Sequence, residues 1–141
     1  MSASAEAVTQ PKLRFAWLWW ALAWLLVIAT VNESLQRNVW AVAEVFPSDK
    51  LTHFAGYCAL AIWFGGVVRR NRYLVVAAFL LALGGGLEIA QGMMHEGRTA
   101  DWFDMLANTL GVTAGLGVSA LGLGHWMVWI ERLLRLQKPS P

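Results

Sequence analysis

Residues 73–94, YLVVAAFLLALGGGLEIAQGMM, decide the fold class of this chain, because they run for 22 residues with Glu88 as their one charged side chain. A helix needs about 20 mostly apolar residues to cross the hydrocarbon core of a bilayer. A helix of a soluble bundle would carry a polar outer face, and residues 73–87 have none. This stretch therefore predicts a membrane-spanning helix.

Three further apolar stretches cover residues 15–31, 51–68 and about 105–128. The first two are short for a span, which flanking tryptophans and long basic side chains can offset. We predict an all-α integral membrane bundle of four transmembrane helices. It forms one domain over residues 15–130, between an N-terminal tail (1–14) and a C-terminal tail (131–141).

Composition excludes several other classes of protein. The 141 residues are 57% hydrophobic and 14% charged, against roughly a quarter charged in soluble domains, and so exclude a disordered chain or a large multidomain enzyme. The single cysteine, Cys58, excludes an intrachain disulfide and a multi-cysteine zinc site. There is no soluble basic surface, so we expect no nucleic-acid partner.

Basic residues predict the orientation of the helices. With four crossings, one side of the membrane carries both termini and the middle turn. It holds eight basic residues, Lys12, Arg14, Arg69, Arg70, Arg72, Arg132, Arg135 and Lys138; the other side holds Arg37, Lys50 and Arg98. Because short cytoplasmic segments are enriched in lysine and arginine, both termini are predicted to be cytoplasmic.

Polar side chains gather at the predicted outer ends of three helices. Helical spacing places Asp49, His53 and Tyr57 on one stripe, and the other two helices supply Glu88, Gln91, His95, Asp104 and Asn108. An ionisable group at mid-bilayer costs about 2.5–3.5 kcal/mol on insertion scales, so each needs a partner or a function. With Arg98 and Asp101 from the intervening loop, they predict a polar pocket that opens toward the outer leaflet.

Structural roles compete with ligand binding at some positions. Asp101 is a candidate N-cap of the fourth helix, Gln91 and Asn108 are candidate bridges between helices, and Lys50 is a candidate interfacial anchor. Small residues at positions 111, 115 and 119 predict close helix packing. The tryptophans predict lipid contact in the first helix (Trp17, Trp19, Trp20, Trp24) and an interface belt, with His125, near the C-terminus (Trp126, Trp129).

Three blocks of this sequence resemble the VanZ-like family. They read Asp49-Lys50-x2-His53-Phe54-x2-Tyr57, then Glu88-x2-Gln91, then Gly97-Arg98-x2-Asp101-x2-Asp104-x3-Asn108-Thr109-x-Gly111. The family is named for a teicoplanin-resistance protein. The resemblance implies a multi-pass protein of the bacterial inner (plasma) membrane that acts on phosphate-containing lipid head groups in the cell envelope, with an effect on glycopeptide sensitivity. Residues 93–96 depart from the shorter turn of many members.

The first functional hypothesis is a metal-assisted phosphotransferase or hydrolase of lipid head groups. Its catalytic residues would be His53, Glu88 and Asp104, and its substrate-binding residues Tyr57, Gln91, Arg98 and Asn108. A Ca²⁺ or Mg²⁺ ion would be held by Asp49, Glu88, Asp101 and Asp104, because these ions prefer oxygen ligands. The substrates would be membrane lipids or lipid-linked envelope precursors.

Two further hypotheses stay open. One is a small proton-coupled transporter or flippase, because an intramembrane glutamate near a histidine suits proton exchange. The other is a non-catalytic scaffold for an envelope enzyme, which implies a membrane-protein partner and gives the polar cluster the task of holding the helices together.

Overall fold

The computed structural model describes residues 13–35, 48–94 and 101–134, and these segments are helical throughout apart from short turns. The helices are α1 (Ala16–Leu35), α2 (Asp49–Val67), α3 (Tyr73–Met93), α4 (Trp102–Ala120) and α5 (Trp126–Leu133), with single 3₁₀ turns at Arg70–Arg72 and Leu123–His125. The prediction of an all-α chain is confirmed over the described residues. The predicted site residues His95 and Arg98 lie outside them.

Two of the described helices are long and apolar enough to cross a membrane: α1, with mean hydropathy 1.4, and Arg70–Met93, with 2.0. A third candidate arises only if α4 and α5 are counted together, although they bend by 79° at the break between them. Helix α2 is not among the candidates, because its 19 residues begin with a polar turn that holds Asp49, Lys50 and His53. Length and composition thus support two or three of the four predicted spans.

The prediction of one continuous helix over residues 105–128 was wrong. Helix α4 ends at Ala120, and Gly122 takes a φ of 127°, a backbone conformation that side-chain-bearing residues rarely adopt. The chain then turns through Leu123–His125 into α5. Gly122 belongs to an apolar run, so hydropathy alone did not indicate the break.

Helices α2 and α4 make the closest contact in the bundle. A Cβ atom added at Gly111 would meet the backbone carbonyl of Phe54 and lie 3.0 Å from the backbone nitrogen of Cys58. One added at Gly115 would lie 2.7 Å from Cβ of Ala61. The expectation that these glycines allow a close helix approach is therefore confirmed.

A cluster of three indole rings lies at the end of the bundle opposite the N-terminus of α2. Trp63 and Trp126 have centroids 5.2 Å apart, and Trp19 lies 5.5 Å from Trp126 and 5.8 Å from Trp63, all in tilted or edge-on contact. Trp19 was predicted to contact lipid, and Trp126 to belong to an interface belt. Trp19 and Trp126 instead pack on each other, because α5 folds back beside α1. Trp17, in contrast, is 71% exposed.

Glu131 connects α5 to the start of α1 at this cluster. It is fully buried, and its carboxylate accepts hydrogen bonds from the backbone nitrogens of Arg14 (2.8 Å) and Phe15 (3.0 Å) and from the indole nitrogen of Trp19 (2.9 Å). A carboxylate at a helix N-terminus satisfies free backbone donors and suits the helix dipole. The tail predicted to begin at residue 131 therefore starts within a packed helix, α5.

Candidate functional site

Most of the predicted site residues lie at one end of the bundle, formed by the C-terminal ends of α1 and α3 and the N-terminal ends of α2 and α4. We call it the polar end. Its predicted residues come from α2 (Asp49, His53, Tyr57), from α3 (Glu88, Gln91) and from the start of α4 (Asp101, Asp104, Asn108). The opposite, basic end carries Arg14, Arg69, Arg70, Arg72 and Arg132.

Three side chains at the polar end form a triangle of candidate metal ligands. Nε2 of His53 lies 3.9 Å from a carboxylate oxygen of Asp49 and 4.0 Å from one of Asp104. One ligand atom from each of the three residues falls within 4.8 Å of the others. The two distances from Nε2 exceed hydrogen-bond distance, and the ligand atoms are close enough together for one cation to contact all three.

Asn108 holds the His53 ring by a hydrogen bond to one of its nitrogens. Its side-chain oxygen lies 3.1 Å from Nδ1 of His53, and an amide oxygen only accepts hydrogen bonds. With Nδ1 as the donor of this bond, a neutral ring has its lone pair on Nε2, the nitrogen nearer Asp49 and Asp104. This arrangement suits a metal ligand or a general base, whose other ring nitrogen is usually held by such a hydrogen bond.

Lys50 is paired within the polar end, although the sequence suggested an interfacial anchor. Its ammonium nitrogen lies 2.7 Å from Oδ2 of Asp101 and 3.2 Å from Oδ1 of Asp104. Lys50 lies just before the predicted span 51–68. Its hydrogen bond to Asp101 raises the pKa of Lys50 above the ordinary 10.5. The same bond, helped by the backbone N–H of Phe103, lowers the pKa of Asp101 below 3.8.

The Lys50–Asp101 pair predicts a pH window for stability. Because the pKa of Asp101 is lowered on folding, its contribution is present above pH 3.8 and is lost as the pH falls through the folded-state value. Because the pKa of Lys50 is raised, its contribution is present below pH 10.5 and is lost as the pH rises through the folded-state value. The difference in thermal midpoint between wild type and Lys50→Met should be constant between these limits and shrink outside them. A difference that is the same at every pH would contradict this assignment.

Asp101 and Glu88 connect α3 to the start of α4. The Asp101 side chain accepts a hydrogen bond from the backbone N–H of Phe103 at 2.8 Å, which confirms its predicted role as N-cap. Its own backbone N–H donates to Oε2 of Glu88 at 3.2 Å. Glu88 is 4% exposed, so its carboxylate lies inside the bundle, close to the N-terminus of α4.

Two buried polar atoms of the polar end have no hydrogen-bond partner in the described part of the chain. They are the hydroxyl of Tyr57 and the side-chain nitrogen of Asn108, in residues that are 3% and 1% exposed. Both lie against Gly84, where an added Cβ would be 3.1 Å from the hydroxyl and 2.9 Å from the nitrogen. Buried polar atoms are nearly always hydrogen-bonded, so these two are exceptions among the described residues.

A cavity of about 250 Å³ lies between α1, α2 and α3 at the polar end. Its polar lining residues are Thr30, Glu33, Ser34, Asp49, Thr52, His53, Tyr57 and Gln91. Gln91 also donates from its side-chain nitrogen to the backbone carbonyl of Ser34 at 2.6 Å, which joins α3 to the last turn of α1. The contribution of α1 was missed from the sequence, although Glu33 and Ser34 at the end of its apolar stretch were a usable signal.

The structure divides the predicted metal ligands into two groups. Asp49 and Asp104 meet at the triangle, together with His53, which was predicted as catalytic. Asp101 lies outside the triangle and contacts Lys50, which Asp104 also contacts, and Glu88 contacts the backbone of Asp101.

Comparisons with protein-family models, with curated proteins and with solved structures gave no match for this chain.

Proposed function

We propose that this chain is a multi-pass protein of the bacterial inner membrane that binds phosphate-containing lipid head groups at its polar end. One observation carries the proposal: polar side chains from several helices converge at one end of an otherwise apolar bundle, around a cavity of about 250 Å³. Small-molecule sites are typically concave, with a few convergent polar groups. A site at the end of a membrane bundle lies at the depth of lipid head groups.

The proposed topology has four crossings, α1 to α4, with both termini cytoplasmic. The clustering of Arg14, Arg69, Arg70, Arg72 and Arg132 at the end opposite the polar site supports this orientation. Helix α2 is the least apolar of the four, and contact of its polar first turn with α4 supports its place inside the bundle. Helix α5, bent by 79° from α4, would then lie along the cytoplasmic face.

The triangle of Asp49, His53 and Asp104 is the proposed place for a divalent cation. A ligand set of two carboxylates and one imidazole suits Mn²⁺ or Zn²⁺ as well as Mg²⁺. A bound ion would supply positive charge to the phosphate oxygens of a head group. Nε2 of His53 can fill one of two roles: it completes the ligand triangle, or it leaves the ion to Asp49 and Asp104 and is the candidate general base of a phosphotransferase or hydrolase.

The resemblance of the three sequence blocks to VanZ-like proteins supports the same proposal. The blocks supply Asp49, His53, Asp104 and Asn108, which lie close together in the fold. Membership in that family would add an effect on sensitivity to teicoplanin. We propose this membership on the basis of these four residues.

Replacing His53 tests the proposed function. Purified protein in lipid nanodiscs should release or transfer phosphate-containing head groups, and His53→Ala should lower the rate by about 10²-fold or more, the usual contribution of a general base. His125→Ala is the matched control, because His125 lies in the 3₁₀ turn at the basic end. Equal rates in wild type and His53→Ala, with both proteins folded, would contradict the catalytic assignment.

A non-catalytic scaffold is the second candidate, favoured by the structural contacts of Glu88 and Lys50. The scaffold predicts that Glu88→Gln and Asp104→Asn mainly lower the folded yield, whereas the enzyme predicts folded protein with lost turnover. A transporter receives less support, because the core beyond the polar end is apolar at Leu60, Phe64 and Leu80. A proton path would need polar groups there.

A further inference from the structure

We infer that a groove at the basic end binds one acyl chain of an anionic phospholipid, with the lipid phosphate held by Arg72. The groove has a volume of about 300 Å³ and lies between the first half of α1, the end of α2 and the first turns of α3. This inference uses the placement of the helices in a membrane, but it does not depend on ligand binding at the polar end. It is carried by the shape, depth and charge of the groove.

The groove has a buried floor and aromatic walls. Phe64 and Val76 lie deepest and are 3% and 6% exposed, whereas Trp20 and Trp24 on α1 are exposed. The ring of Phe79 has its centroid 5.8 Å from that of Trp24 and 5.8 Å from that of Phe64, in edge-on contacts. Because these rings support one another, little side-chain ordering is left for a ligand to impose when it binds.

The depth of the groove matches the part of one leaflet nearest the head groups. Along α3 the groove runs from Arg72 to Phe79, about 10 Å at a rise of 1.5 Å per residue. One leaflet contributes roughly 15 Å to the hydrocarbon core, half of its thickness. Since Arg72 directly precedes the apolar residues of α3, its guanidinium lies at the depth of the phosphate and the aromatic walls lie at the depth of the acyl chain.

The mouth of the groove is basic. Arg72 is its one charged lining residue in the described part of the chain, and Arg69 and Arg70 directly precede it in sequence. The guanidinium of Arg72 makes no hydrogen bond or ion pair with residues 13–35, 48–94 or 101–134. The first turn of α3 has no acidic residue and no side-chain cap, so the helix N-terminus adds partial positive charge. A phosphate suits this mouth, because a guanidinium can bind two of its oxygens at once.

An anionic phospholipid matches the groove better than a neutral lipid or the ends of the chain. Lipid tails are as apolar as leucine side chains, so contact with the walls alone selects weakly and the head-group charge decides which lipid is held. In the proposed topology the basic end faces the cytoplasmic leaflet, which carries anionic lipids. Residues 1–12 and 135–141 have Met1, Val8 and Leu136 as their only large apolar side chains and do not match the aromatic walls.

The test is native mass spectrometry of the full chain in detergent, titrated with phosphatidylglycerol or phosphatidylcholine that carry the same acyl chains. Phosphatidylglycerol should bind about fivefold more tightly, the factor that one basic residue contributes at an anionic lipid surface. Arg72→Gln should remove this preference, whereas Arg132→Gln, at the same end but outside the groove, should keep it. A lipid held at the polar end cannot account for that result, because Arg72 lies at the opposite end.

Filling the groove provides a second measurement. Val75 lines the groove and its neighbour Leu74 does not, and both side chains are exposed. Val75→Trp should remove the preference for phosphatidylglycerol, because the added ring takes the place of the acyl chain. Leu74→Trp should keep it. Glycerol 3-phosphate, which has the phosphate without acyl chains, should compete poorly.

The contrary outcomes each overturn a defined part of the inference. Equal binding of the two lipids to the wild type would overturn selection of an anionic lipid. A preference that persists in both Arg72→Gln and Val75→Trp would overturn its assignment to this groove. Equally strong competition by glycerol 3-phosphate would overturn the acyl-chain contact, and a dimer that Val75→Trp dissociates would assign the groove to a second copy of the chain. None of these measurements involves head-group turnover at the polar end, so the proposed function stands or fails separately.

Discussion

Gly111→Leu is expected to abolish the folded state, whereas Gly117→Leu on the same helix should leave the folded yield nearly unchanged. At Gly111 even the first added carbon would meet the backbone carbonyl of Phe54 and come within 3.0 Å of the backbone nitrogen of Cys58. Backbone atoms cannot rotate away, so α2 and α4 would have to separate. Overpacking a core usually costs about 1–3 kcal/mol, and a backbone obstruction exceeds that range.

Gly117 is the matched control, because it is exposed and nothing lies within 4 Å of a Cβ atom added there. Size-exclusion profiles of the two variants in detergent, with thermal midpoints of the soluble fractions, measure the difference. Similar monodisperse yields for both would show that the α2–α4 packing described above is not the one in the membrane. Gly111→Ala should fall between wild type and Gly111→Leu.

Glu131→Ala is expected to destabilise the protein by about 3 kcal/mol or more. The substitution removes the acceptor of three hydrogen bonds, from the backbone nitrogens of Arg14 and Phe15 and from the indole of Trp19. Hydrogen bonds to a charged group contribute roughly 1.5–3 kcal/mol each, and buried donors left without an acceptor add a further penalty. Water that hydrates the freed donors recovers part of this loss in stability.

Arg132→Ala is the control for Glu131→Ala, since Arg132 is the adjacent, exposed residue of α5. Thermal unfolding followed by tryptophan fluorescence measures both, because the rings of Trp19, Trp63 and Trp126 pack at this site. An equal, small effect of the two substitutions would mean that the carboxylate of Glu131 does not anchor α1.

The apolar runs were sufficient to predict that α1 to α4 are helical, because burial in a bilayer demands long stretches without charge. Residues 73–94 match α3 within one residue at each end. Hydropathy could not predict the break at Gly122, because it carries no information about the backbone angle φ. Helical spacing correctly placed Asp49, His53 and Tyr57 on a single face, and it could do so because such spacing depends on one helix alone.

Contacts between helices were harder to predict from the sequence. The pairing of Lys50 with Asp101 and Asp104 depends on how α2 meets α4, which no local pattern encodes. Residue 131 was assigned to the C-terminal tail, because the partners of Glu131 lie more than a hundred positions earlier. The part of α1 in the cavity was missed for a related reason: the predicted first span ended at residue 31, and Glu33 lies beyond it.

The bond between Glu131 and the start of α1 sets an order of events during synthesis. Arg14 and Glu131 are separated by 117 positions, so α1 leaves the ribosome long before its anchoring carboxylate has been translated. Until then the first helix can enter the membrane but cannot acquire its final N-terminal contacts. Nascent chains stalled before codon 131 should therefore be inserted yet protease-sensitive at residues 13–19, and resistance should appear once α5 has emerged.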